Sequence, residues 1–90
     1  MIEPYIHIDE LGGQCPVQAE GFVDGEPFYF RSRGCAWTMG IGGEPVGAPA
    51  WEYGEPYGEW PDAGFITLDE ARGFIEASVK LWRERRLNLF

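Results

Sequence analysis

Basic residues are missing from the whole middle of this 90-residue chain. Between positions 34 and 71 the sequence has no lysine, arginine or histidine, but it has seven acidic residues. The complete chain carries a formal net charge of −8, and its pI is near 4.4. Because such a field repels phosphate backbones and attracts basic surfaces, we expect a basic protein partner and no direct binding of nucleic acid.

Side chains that support catalysis or metal binding are also scarce. The chain has two cysteines, Cys15 and Cys35, and one histidine, His7. No nucleophile signature surrounds either thiol, and the sequence has no CxxC, HxxxH or EF-hand spacing. The glycine-rich segment 40–47 lacks the Lys-Ser/Thr pair of a phosphate-binding P-loop. We therefore expect a non-enzymatic protein with no catalytic residue, metal site or cofactor.

Long hydrophobic runs are absent. Nothing in the sequence approaches the roughly 18 apolar residues of a membrane-spanning helix, and the first residues lack the pattern of a signal peptide. Two cysteines are too few for a disulfide scaffold. These absences favour a cytoplasmic protein with reduced thiols and no membrane association.

The apolar content is nevertheless sufficient for folding. Hydrophobic residues make up 44% of the chain and aromatic residues 16%, which argues against disorder despite the net charge. Ninety residues fall within the range of one domain. We predict a single domain over residues 1–90 with one modest core.

The C-terminal segment has the clearest helical pattern. Thr67 is followed three residues later by Glu70, which is the spacing of a capping box at a helix start. Acidic residues occupy the first turn and arginines the last, where the helix dipole favours each sign. We therefore predict a helix over about 68–86. Its inward face recurs at intervals of three and four: Ala71, Phe74, Ile75, Ser78, Val79 and Trp82.

Residues 16–33 predict a β-hairpin. Asp24-Gly25 is a dipeptide typical of a type I′ turn, and it sets a register in which paired positions sum to 49. This register places Ala19 opposite Phe30 on an apolar face and leaves the other face mostly polar. A slip of one residue would mix the two faces, so the pattern specifies the register.

The hairpin register also bears on the two cysteines. Cys15 continues the apolar face of the first hairpin strand, whereas Cys35 falls outside the apolar face of the second. The thiols are then expected on opposite faces of the sheet, so we predict no disulfide between them.

Two further strands extend this sheet in the prediction: residues 36–41, with alternate side chains facing inward, and residues 4–9, as an edge strand. The predicted fold class is α+β, a three- or four-stranded antiparallel sheet with one C-terminal α-helix packed on one face. Residues 43–64 lack strong periodicity and are predicted as a long functional loop, although a short strand near 51–53 or 65–67 would shorten it. The expected core is Val17, Ala19, Phe28, Phe30, Trp37, Met39, Ile41, Phe74, Ile75, Val79 and Trp82.

Within this predicted loop, the sequence WEYGEPYGEW at 51–60 combines aromatic rings with glutamates. Trp and Tyr dominate the energetics of protein interfaces, and carboxylates between them select a basic partner. We therefore predict a non-enzymatic, acidic protein-binding module. Its predicted partner-binding residues are Trp51, Glu52, Tyr53, Glu55, Tyr57, Glu59, Trp60 and Asp62.

Three alternatives use the same residues differently. The four rings could fold back to cover the small sheet. The segment could instead bind a glycan or a nucleotide, because rings stack on sugars and carboxylates bond hydroxyl groups. The protein could also be a structural subunit that self-associates into a homo-oligomer through a sheet edge or the outer sheet face.

The sequences CPVQAEG at 15–21 and DGEPFYFR at 24–31, followed by Trp37 and the terminal helix, resemble a set of small proteins encoded in bacterial and prophage genomes. The resemblance covers the hairpin and, more loosely, the whole chain, and it implies no site residue. It implies a context, because small acidic phage proteins without enzyme motifs resemble anti-defence inhibitors such as anti-CRISPR proteins. By this analogy we expect an inhibitor of a basic, nucleic-acid-binding host complex.

Overall fold

The computed structural model describes residues 6–87, with side chains through residue 85. Its five strands lie side by side in chain order, and each neighbouring pair is antiparallel. A short 3₁₀ turn and one long helix follow the sheet, so the fold is α+β. The elements are β1 (Ile6–Gly12), β2 (Val17–Val23), β3 (Glu26–Arg33), β4 (Ala36–Glu44), β5 (Ala48–Pro56), the 3₁₀ turn (Asp62–Phe65) and α1 (Leu68–Leu87).

The β2–β3 hairpin has the register that the sequence predicts. Paired positions sum to 49 from one end to the other, with Ala19 opposite Phe30. The turn residues Asp24 and Gly25 have φ angles of 50° and 85°, which is the left-handed conformation that a type I′ turn needs at both positions. Burial alternates strictly along β2, so one face of the hairpin lies against the core and the other faces outward.

The helix α1 packs on the apolar face of the sheet. The ring of Phe74 stacks on Trp37 of β4 with centroids 4.9 Å apart, and Ile75 and Val79 belong to the same buried cluster as the strand residues. Every residue of the expected core is buried except Phe74, which is half-buried. The predicted core is therefore confirmed apart from this ring at its margin.

Both ends of α1 are tied down by side chains. At the start, the Glu70 backbone N–H donates to Thr67 Oγ1 over 3.0 Å, and the Thr67 N–H donates to Glu70 Oε1 over 2.9 Å. This reciprocal pair is the predicted capping box. Near the other end, the guanidinium of Arg83 donates to both carboxylate oxygens of Asp24, over 2.9 and 2.7 Å. The last turns of the helix are thereby fastened to the hairpin turn.

The predicted strand number was too low, because the predicted loop over 43–64 contains β5. Residues Ala48–Pro56 form a nine-residue strand, paired with β4 at each position except Ala50, and β4 itself extends to Glu44. The reason is an alternation of period two: Trp51 and Tyr53 pair with buried β4 residues, while Glu52 and Gly54 face the other side. The sheet therefore has five strands rather than three or four.

The bounds of β1 and the position of Cys15 also differ from the prediction. β1 is an edge strand as expected, but it runs from Ile6 to Gly12 and contains an irregularity between Ile8 and Glu10. Cys15 does not continue the apolar face, because it is exposed, has a φ of 49° and precedes the start of β2. Both cysteines are free thiols. The predicted strand start at 4–5 lies outside the described residues.

No helix in the described part of the chain combines the length and the apolarity needed to cross a membrane.

The 3₁₀ turn is held against the sheet by a buried serine. Ser32 of β3 is fully buried, and its hydroxyl donates to the backbone oxygen of Ala63 over 2.6 Å. The Ala63 N–H in turn donates to the Gly34 oxygen over 3.0 Å, and the Cys15 N–H donates to the Gly64 oxygen over 2.8 Å. These bonds fix the 3₁₀ turn within the connection that leads from β5 to α1.

Replacing Ser32 by alanine should therefore destabilise the fold. The Ser32→Ala variant leaves a buried carbonyl without its hydroxyl donor, so we expect the free energy of unfolding to fall by about 1–3 kcal/mol. Urea denaturation measures this difference.

Ser78→Ala is the matched control, since Ser78 is also fully buried. Its hydroxyl donates to the Phe74 oxygen over 2.8 Å, and that helical oxygen also accepts the backbone N–H four residues on. We expect little change from this substitution. Equal losses in the two variants would contradict a specific role for the Ser32 bond.

Candidate protein-binding surface

Residues 51–62, here called the acidic aromatic segment, run along the second half of β5 and through the turn that follows it. β5 is the last strand of the sheet, so it has a neighbour on one side only among the described residues. The segment therefore occupies an edge of the sheet and one corner of the molecule, rather than a free loop.

Trp51 and Tyr53 lie on the helix side of β5. They pair with Ile41 and Met39, and both are half-buried. Their rings stack with centroids 6.1 Å apart and an interplanar angle of 10°, while Tyr53 meets Trp37 edge-on at 5.9 Å. The two rings thus extend the core to the edge of the sheet, and each has an aromatic neighbour beside it.

Tyr57 follows the end of β5 and also turns toward the helix. Its backbone N–H donates to the Cys35 oxygen over 2.8 Å, and its half-buried ring meets Phe74 edge-on at 5.8 Å. The Tyr57 hydroxyl donates to Glu70 Oε2 over 2.8 Å. Three of the four rings in the segment therefore pack against the core.

Trp60 is placed differently, because 77% of its surface is exposed. Its indole lies beside Gly34, where an added Cβ would come within 3.4 Å of Trp60 Cδ1. The turn beneath it is fixed by the Asp62 carboxylate, which accepts the Glu59 backbone N–H over 2.9 Å. The segment thus presents one large ring to the solvent on an ordered turn.

The four acidic side chains of the segment are all exposed, but they do not form one cluster. Glu52 lies on the outer face of the sheet, whereas Glu55 pairs with Trp37 on the helix side and accepts the Tyr53 hydroxyl. Glu59 and Asp62 lie in the turn that supports Trp60. The predicted site is therefore divided into a strand edge with two glutamates and a corner with two acids and an exposed indole.

Hydrogen bonds between the tyrosines and carboxylates shift pKa values in the segment. The bond to Glu55 raises the pKa of Tyr53, and the bond to Glu70 raises the pKa of Tyr57. The pKa of Glu70 is lowered, first by the Thr67 backbone N–H and then by the Tyr57 hydroxyl. Glu70 thus links the segment to the start of α1, a role the capping-box spacing alone did not indicate.

Sequence reasoning also missed exposed apolar residues just beyond the segment. Phe65 at the end of the 3₁₀ turn is 52% exposed, and Leu68 at the start of α1 is 47% exposed. Their neighbours Ala63, Gly64 and Ile66 are buried, so the outward position of these two follows from the tight turn. No periodicity in the sequence would have indicated it.

The clefts of the molecule bear on ligand binding by the segment. A cleft of about 300 Å³ lies where the sheet edge meets the last turns of α1. Trp51 is the residue of the segment that lines this cleft. Trp82 and Arg85 line its helix side, and Glu26 lines its strand side. Within the described residues, no three metal-ligating side chains come together.

The chain matches no protein-family model, and it has no match among curated proteins or among solved structures.

The bond between Tyr57 and Glu70 can be tested by titration. Tyr57→Phe removes one donor from the carboxylate, so we expect the Glu70 pKa to rise from its lowered value. It should remain below the ordinary glutamate pKa, because the Thr67 N–H still donates. Side-chain carboxyl NMR measures this titration, and an unchanged Glu70 curve would contradict the bond.

The same change has a consequence for stability against pH. The pKa of Glu70 is lowered on folding, so its ionised carboxylate stabilises the folded state. This contribution to the free energy of unfolding is present above the ordinary glutamate pKa and is lost as the pH falls through the folded-state pKa. Tyr57→Phe should remove part of that contribution at neutral pH. Tyr53→Phe is the control, because its hydroxyl donates to Glu55 and should leave the Glu70 titration unchanged.

Proposed function

We propose that this protein is a non-enzymatic binding module that docks onto a basic protein surface through the acidic aromatic segment. The observation that carries the proposal is the separation of charge: residues 34–71 contain seven acidic residues and no basic one. All four acids of the segment are exposed, and so is the indole of Trp60. A surface of this kind attracts cations over several ångströms and still offers one large apolar contact.

Trp60 is the proposed anchor of the interface. Rigid aromatic side chains gain contact area at a small cost in conformational entropy, and such residues carry most of the energy of typical interfaces. Trp60 shares its turn with the exposed residues Glu59 and Asp62, so an arginine that bound at this turn would have a ring and carboxylates within one short segment. Arginine is the basic side chain best suited to both contacts.

Inhibition is the proposed outcome of docking. Basic surfaces of nucleic-acid-binding proteins are arranged to neutralise phosphates, and exposed carboxylates can occupy the same positions. A partner held in this way would lose access to its nucleic acid. This step extends the analogy with small acidic anti-defence inhibitors.

The packing of the rings supports protein docking more than sugar stacking. Trp51 lies nearly parallel to Tyr53, and the rings of Tyr53 and Tyr57 also contact core aromatics, so all three are half-buried. A glycan needs an open ring face beside hydrogen-bonding groups. Of the four rings in the segment, Trp60 is the one that is mostly exposed, so a glycan would find one open ring and not several.

Neutralising the segment should abolish capture of the partner. We expect wild-type protein to retain a discrete basic protein from a bacterial lysate at low salt and to lose it as salt rises, because ions screen exposed charges. The triple variant Glu52, Glu55 and Glu59→Gln should fail to retain it even at low salt. Affinity pull-down with mass spectrometry measures both effects.

The triple variant Glu10, Glu20 and Glu76→Gln is the matched control. It changes the net charge equally at exposed positions outside the segment, so it should still retain the partner. If both variants lost the partner equally, net charge rather than this segment would be responsible. If both retained it, the binding surface would lie elsewhere on the sheet or the helix.

Trp60→Ala should weaken binding without weakening the fold. We expect at least an approximately tenfold loss of affinity for the captured partner, measured by calorimetry, because a central tryptophan is a typical hot spot. Thermal unfolding should change little, since the side chain is mostly exposed. Trp51→Ala should instead destabilise the fold, as its ring is half-buried. Unaltered affinity in Trp60→Ala would remove the indole from the interface.

A further inference from the structure

The two edges of the sheet differ in regularity. β1 pairs with β2 through a register shift between Ile8 and Glu10, and such an irregularity twists an edge away from further pairing. β5 pairs with β4 in a regular ladder from Trp51 to Pro56. Residues 51–55 of this regular part all have an N–H group.

The direction of the β5 backbone groups follows from one hydrogen bond. The Tyr57 N–H donates to the Cys35 oxygen, and these two residues continue the β4–β5 register by one step. Because hydrogen-bonded pairs alternate in an antiparallel ladder, the backbone groups of Trp51, Tyr53 and Glu55 face β4. The N–H and C=O groups of the intervening residues Glu52 and Gly54 must then face the open edge.

We propose that this open edge of β5 receives an extended, basic segment of the protein partner as a sixth, antiparallel strand. The inference rests on the proposed function, and it assigns the way in which the partner is held. Two donors and two acceptors in a row, on residues 52 and 54, match the backbone of an incoming strand. Among the described residues no other element bonds to these groups.

Charge selects the occupant of the edge. A second copy of this chain, paired through β5, would bring Glu52 and Glu55 of both copies close together in a protein of net charge −8. Like charges across paired strands are destabilising, so self-pairing is disfavoured. A basic strand from another protein gains instead from the same carboxylates.

The two faces of β5 define the side chains that the incoming strand should have. On the outer face, Glu52 is followed by Gly54, which has no side chain and leaves room for a long arginine opposite the carboxylate. On the helix side, the half-buried Trp51 and Tyr53 favour an apolar neighbour. A sequence that alternates arginine and valine satisfies both faces.

The probe is a short, acetylated and amidated peptide that alternates arginine with valine. In an antiparallel pair, an arginine directly opposite Glu52 exchanges both backbone hydrogen bonds with it, whereas the valine N–H groups point away from β5. Methylating the arginine backbone nitrogens should therefore weaken binding by about tenfold or more, since each blocked donor leaves an acceptor unpaired. A peptide methylated on the valine nitrogens has the same charge and the same number of methyl groups as the arginine-methylated peptide. It should still bind, because the valine N–H groups do not bond to β5.

Binding is measured by tryptophan fluorescence or calorimetry, and amide hydrogen exchange locates it. We expect the parent peptide to slow exchange at residues 52 and 54. Loss with valine methylation instead of arginine methylation would overturn the antiparallel direction. Equal affinity for all three peptides, or no binding of the parent peptide, would overturn strand addition. Slow exchange at these amides without peptide, with a mass that rises with concentration, would identify a second copy as the occupant.

The result of the peptide experiment can be distinguished from the result of the lysate experiment that tests the proposed function. The lysate experiment tests the carboxylates of the segment. The methylated peptides keep every charge and test the backbone hydrogen bonds of β5. A partner captured through the glutamates, together with equal affinity for the three peptides, would leave acidic docking in place and remove only the added strand. If no partner were captured in the lysate experiment but the peptides still bound selectively, acidic docking would be removed and strand addition at β5 would stand.

Discussion

The indole of Trp37 is the contact on which both the helix and the edge strand depend. It lies buried in β4, stacks on Phe74 of α1 at 4.9 Å and meets Tyr53 of β5 at 5.9 Å. A third neighbour, Phe30, lies at 5.7 Å in the adjacent strand. Since aromatic pairs gain energy from both area and ring orientation, one side chain fixes the strand that carries the candidate surface relative to the helix. The exposed charges of the segment have defined positions because this ring is fixed.

The parts of the fold that sequence reasoning predicted are those with local signals. Asp24-Gly25 sets its hairpin register within a few residues, and Thr67 with Glu70 marks the helix start within one turn. Of β5, the sequence indicated at most a short strand near 51–53, because its proline, glycine and glutamate residues have low strand propensity. Its stability comes from pairing with β4 and from the rings beneath it, which are tertiary contacts that composition does not reveal.

The candidate site was predicted as one surface, but a strand divides it. Alternate residues of β5 face opposite sides of the sheet, so Glu52 and Tyr53 are neighbours in sequence and lie on different faces. Which ring remains exposed depended on where the strand ends, since Trp60 lies beyond the last pair with β4. Residue types alone therefore identified the segment, and only the register separated its structural rings from its exposed one.

The bond between Arg83 and Asp24 joins residues 59 positions apart, whereas the strand pairs of the sheet join neighbours in the chain. Hairpins of this meander can form one after another with small loop closures, while docking of α1 closes the longest loop. During synthesis the N-terminal strands leave the ribosome first. The apolar face of the sheet therefore has no cover of its own until the final helix has emerged, and this interval is when the chain is most exposed to aggregation.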